Sequence, residues 1–198
     1  MPDRLDRMLA LVRRHRPRVR LVDRNTVPWM RLPGELARPF VGDINQRFTT
    51  VLGDVVYLPG PVERFDRDHL AAVLAHELVH QLDQARSGPW FYASYVLFAP
   101  TGRTMRADWE RRAYAVDLLL AHERGGEQAV LATRDRLVTV FAGPSYGFMW
   151  AGRASAERFL QPVVDAVLDG TLAQQAPYRD ILRAWRGEDA VPPEPEVA

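Results

Sequence analysis

The chain of 198 residues contains no cysteine and no lysine. Without thiols there is neither a disulfide framework nor a thiolate metal site, so histidine and carboxylate are the protein ligands available to a metal. All 26 basic side chains are arginine, which reads as a compositional bias of the source genome rather than as a binding signal. Net charge is lacking too. The 25 acidic groups leave a formal charge of +1, with no general pull toward nucleic acid or acidic membranes. No apolar run approaches the ~20 residues that cross a bilayer, and the first residues lack the apolar core of a signal peptide. The expectation is a cytoplasmic protein with no membrane span and no nucleic-acid partner, export without a cleaved signal staying open.

What is present is enough for one sizeable core, at 47% hydrophobic residues. A single domain is expected over residues 1–188, followed by a disordered Pro/Glu-rich tail over 189–198. Leu5, Met8, Leu9 and Val12 recur at helical spacing ahead of Pro17. The cluster Arg13, Arg14, Arg16, Arg18 and Arg20 at the end of that helix fits a solvated face near the negative end of the helix dipole. A short strand over residues 19–23 precedes an irregular stretch with Pro28, Pro33, Gly34 and Pro39. Then Phe48 to Leu52 and Val55 to Leu58 flank Gly53-Asp54, the pattern of a two-residue hairpin.

Residues 68–89 carry the most informative segment, His76-Glu77-Leu78-Val79-His80. On a helix the two histidines lie one turn and about 40° apart, so both imidazoles can reach one point. Glu77, rotated by about 100°, can reach a water on an ion held there. Leu70, Ala71, Leu74, Leu78, Leu82 and Ala85 form an apolar stripe on the other side. Asp66 or Asp68 can cap the start, and Gly88-Pro89 is a stop signal. The aromatic segment from Trp90 to Phe98 is expected to pack over this helix as core or lid.

A second strong helix is expected over residues 104–124, capped by Thr104 and stopped by Gly125-Gly126. Glu110, Ala113, Tyr114, Asp117 and Ala121 share one of its faces. The alanines allow close approach to the histidine helix, and Glu110 can then reach an ion between them. Further helices are expected over 127–141, over 155–169 with a kink or break at Pro162, and over 178–185. An aromatic loop spans 143–150. The fold class is α+β: a small mixed sheet with a hairpin edge, packed on the histidine helix, and a mostly helical carboxyl-terminal half.

Catalytic zinc usually takes three protein ligands and keeps one position for water. The metzincin continuation is excluded, because Asp83 and Arg86 stand where its glycine and third histidine would be. The pattern of residues 46–121 resembles the gluzincin metallopeptidases, especially their minigluzincin branch, in which a second helix brings a glutamate to the zinc. The resemblance implies a Zn2+ cofactor bound by His76, His80 and Glu110, with Glu77 as catalytic base. Larger gluzincins often orient a histidine with an aspartate four residues after the ligand glutamate. Here that residue is Tyr114, and Asp117 or Asp83 are the candidates for supporting an imidazole N–H. For the histidine or tyrosine that gluzincins add as oxyanion donor, the candidates are Tyr146, Tyr114 and His122.

The function implied is a zinc-dependent endopeptidase, latent or narrow in specificity. Its peptide substrate is expected along the edge of the 48–58 hairpin by strand addition. The rival reading is a non-catalytic zinc-binding regulatory or protein-interaction module on the same scaffold.

Overall fold

A computed structural model describes residues 2–29, 49–96, 105–143 and 152–188, without the side chains of 95 and 96. The cap expected at Thr104, the aromatic loop with Tyr146, the first strand residue Phe48 and the 189–198 tail lie outside the described residues.

Helix α1 (Arg4–His15) begins at a capping box. Asp3 accepts the Asp6 N–H and the Asp6 carboxylate accepts the Asp3 N–H, which satisfies two donors that a helix start leaves open. It buries Leu5, Met8, Leu11 and Val12. Strands β1 (Arg20–Asp23), β2 (Thr50–Leu52) and β3 (Val55–Leu58) form a mixed sheet in the order β1-β3-β2. β1 runs parallel to β3, and β2 runs antiparallel to it with Leu52 opposite Val55 and Val51 opposite Val56. Gly53 takes φ +58° at the hairpin turn, a conformation that glycine adopts without strain. In a two-residue hairpin the flanking pair, Leu52 and Val55, exchanges the hydrogen bonds. Val51 therefore points its N–H and C=O toward the side of β2 that has no strand neighbour among the described residues.

Helix α2 (Arg67–Ser87) is capped by Asp66, whose carboxylate accepts the His69 N–H at 2.8 Å, and it ends at Gly88 with φ +55°. Leu70, Ala71, Leu74 and Leu78 are buried as the stripe predicts, while Leu82 is half-buried and Ala85 faces solvent. Pro89 does more than stop this helix. It opens the next one, α3 (Pro89–Val96), at the first helical position, where a missing N–H costs nothing.

Helix α4 (Met105–Ala142) contains two arms joined at Gly125 and Gly126. Gly126 sits at φ +62°, ψ −154°, a region open essentially to glycine alone. A straight helix would hold Tyr114 and Phe141 about 40 Å apart. Their ring centroids are 5.8 Å apart, so the second arm folds back along the first. Helix α5 (Arg153–Leu168) packs on this hairpin and continues through Pro162 without the break that proline predicts. Five buried side chains on one face, Ala156, Phe159, Leu160, Val164 and Val167, hold it in place and outweigh the one backbone hydrogen bond lost. Helix α6 (Tyr178–Arg186) closes the core against α1, where the Arg7 guanidinium donates to the Ala184 and Trp185 carbonyls.

The molecule is a mostly helical α+β fold with a small three-stranded mixed sheet and a helical carboxyl-terminal half. No described helix is long and apolar enough to cross a membrane.

Candidate metal centre

Helix α2 also buries polar groups around its leucines: Glu77, His80, Gln81, Asp83 and Gln84 are each at most 6% exposed. Burying such groups is costly unless partners meet them. The first arm of α4 meets His80 and Asp83 with Glu110 and Arg112, and the hairpin turn meets Gln81 and Gln84 through Gly53 and Val51. Ala113 and Ala121 let the arm approach closely, and the buried Glu110 and Tyr114 face α2 from the same side.

Among the described residues, His76, His80 and Glu110 offer three ligand atoms that all lie within 4.8 Å of one another. His80 Nε2 is 3.9 Å from Glu110 Oε2, and the two imidazole centroids are 5.1 Å apart in an edge-to-face arrangement. A tetrahedral ion with bonds of about 2.1 Å sets its ligand atoms about 3.4 Å apart. The observed spacing is close to that, and two nitrogens with one carboxylate suit a divalent ion of borderline hardness.

The ligands are held from behind. His76 Nδ1 meets Asp117 Oδ2 at 2.8 Å, which directs the other ring nitrogen toward the shared point. The Tyr114 ring lies edge-on against the same imidazole, 4.8 Å between centroids, and is backed in turn by Phe141. Phe91 of α3 stands 6.3 Å from the His80 ring. The Asp117 carboxylate also reaches Arg136 on the returning arm of α4, at 3.8 Å.

The charges at this centre are strongly coupled. Burial pushes the His76 imidazole down, but the Asp117 carboxylate, by charge and hydrogen bond, together with Glu77 and Glu110, raises it to about 9. Burial, then the charges of His76 and Arg106, holds His80 far below its usual value, so its lone pair is free of protons at neutral pH. Burial lifts the Glu77 carboxyl to about 7, with His76 and Arg24 opposing and Glu110 and Asp117 assisting. Below pH 9 the metal-free site therefore carries a proton on His76 that a metal must displace. Uptake of a divalent cation at pH 7.5 will release about one proton, and affinity will fall as the pH drops. Calorimetry in buffers of different ionisation enthalpy counts that proton, and a count of zero would remove His76 from the ligand set.

The remaining candidates scatter. Asp83, one turn past His80, pairs with Arg112 on the first arm of α4 at 3.0 Å, where Tyr178 donates to the Arg112 carbonyl. His122 lies on α4 three turns beyond Glu110, about 18 Å along the axis, too far to serve the same centre. Tyr114 contacts His76 through its ring. Tyr146 lies outside the described residues.

Two features escaped the sequence pattern. Arg24, following β1, is 3% exposed and donates to the Thr50 hydroxyl, and its charge acts on Glu77. Nothing near Arg24 in the sequence signals this, since its partners come from β2 and α2. Gln84 continues the spacing of His76 and His80 by one more turn and could have been read from it. Compared with known protein families, with curated proteins and with solved structures, the chain matches none.

Proposed function

We propose that the protein is a zinc metallopeptidase of the gluzincin type, with His76, His80 and Glu110 as ligands and Glu77 as general base. The observation that supports it most is the convergence of two imidazoles from one helix and a buried carboxylate from another within 4.8 Å. Zinc bound there supplies a Lewis acid that acidifies water and polarises a carbonyl. Glu77, next to the first ligand and lifted toward neutrality by burial, takes the proton of the attacking water and returns it to the departing amine nitrogen. Asp117 keeps the His76 proton on Nδ1, so the other nitrogen is the one that binds. The Tyr114 and Phe91 rings pack edge-on against His76 and His80 and add apolar contact to the donors.

Removal of metal tests this directly. Dialysis against a strong chelator will abolish hydrolysis of an unfolded protein substrate, and stoichiometric zinc will restore it. Hydrolysis that persists in verified metal-free protein would overturn the reading. So would zinc-loaded protein that cleaves no peptide, which would favour a metal-binding module without catalysis.

A further inference from the structure

The His76 imidazole is steadied by two contacts. Asp117 meets its Nδ1 at 2.8 Å, and the Tyr114 ring packs against it with 4.8 Å between centroids and 73° between planes. The contacts restrain different motions. A hydrogen bond at one nitrogen fixes where that atom sits, yet the ring can still rock about the line of the bond, because the last torsion of a histidine has a broad minimum. A neighbouring ring stops the rocking only if it is itself closely packed.

Tyr114 is packed by a series of rings. Phe141 of the returning arm of α4, fully buried, stands 5.8 Å from it at 61°, and Phe159 of α5 stands 6.0 Å from Phe141 at 52°. These tilted arrangements are the ones in which aromatic rings attract. Phe159 is met in turn by the Arg111 guanidinium, 4.3 Å from the ring centroid, and Arg111 also donates to the Phe159 carbonyl at 3.3 Å. Arg111 and Tyr114 both belong to the first arm of α4, so the series leaves that arm, crosses the returning arm and α5, and comes back to it. The returning arm reaches His76 by a second route as well, since Arg136 stands 3.8 Å from the other oxygen of Asp117.

We propose that the ring series Tyr114–Phe141–Phe159 is a positioning element for the metal centre: it fixes the plane of the His76 imidazole, so that side chains with no contact to the ion set how tightly it is held. Asp117 aims the donor nitrogen and the rings keep it aimed. The inference rests on the metal-site part of the reading above and does not require peptidase activity.

Zinc affinity of the full-length protein, measured by competition with a chromophoric chelator at one pH, tests this through a double-mutant cycle. Tyr114→Leu and Phe141→Leu will each weaken binding by about two- to tenfold, the worth of an aromatic pair expressed as an equilibrium. The double variant will bind no more weakly than Tyr114→Leu alone, because Phe141 acts through Tyr114. Tyr114→Phe, which keeps the ring, will stay within about twofold of wild type. Should Phe141→Leu fail to fold, Phe159→Leu, at the less buried end of the series, takes its place in the cycle. Losses that add in the double variant, an unchanged affinity in Phe141→Leu, or a Tyr114→Phe protein as weak as Tyr114→Leu overturns the proposal and leaves the metal centre in place. Wild type that binds no zinc removes the metal centre and the proposal together.

Discussion

Glu110→Ala will weaken zinc binding by more than about 100-fold, whereas Asp108→Ala, two residues earlier on the same arm of α4, will leave it within about twofold. The contrast comes from where the helix points each carboxylate. Glu110 is 2% exposed and stands 3.9 Å from His80 Nε2. Asp108, about 200° around the axis, pairs with Arg111 at 3.2 Å on a different face. Removing a supporting group behind a ligand typically costs 10- to 100-fold in affinity, so losing a ligand should exceed that range. Competition with a chromophoric chelator measures both variants at one pH. A reversed order would reassign the third ligand to another carboxylate.

Glu77→Gln will reduce peptide hydrolysis by about 10²- to 10⁴-fold while zinc content stays at one ion per chain, the usual range for a lost general base. The substitution keeps shape and volume, so the buried position flanked by His76 is not left empty. It removes the acceptor for the water's proton and nothing from the donor trio. Reading zinc content and rate on the same preparation separates loss of metal from loss of chemistry. Equal rates for wild type and variant would point to binding without catalysis.

The local parts of this molecule are legible because short-range chemistry dictates them. Asp3 and Asp66 cap helices, Gly53 turns a hairpin, and the His76–His80 spacing places two imidazoles together wherever the helix packs. Glu110 and Asp117 were readable for a related reason: carboxylates separated by small alanines make little sense as a solvated face or as an apolar core. What sequence spacing leaves open is which distant groups meet. Asp83 and Asp117 were equally plausible supports for a histidine, and only the approach of the first arm of α4 sends one to Arg112 and the other to His76. Arg24 belongs to the same class, since its burial depends on a strand and a helix far along the chain. Pro162 illustrates the converse, a strong local signal overridden by apolar packing along the whole of α5.

The reversal at Gly126 has one more implication. Because α4 doubles back there, the acid facing His80 and the ring supporting Tyr114 are parts of a single continuous segment, while both histidines sit on the helix that follows the sheet. A captured cation would thus act as a rivet between the two halves of the molecule. Its contribution to cohesion would grow with the logarithm of the free ion concentration, so metal supply would set how firmly the carboxyl-terminal helices are fastened to the rest.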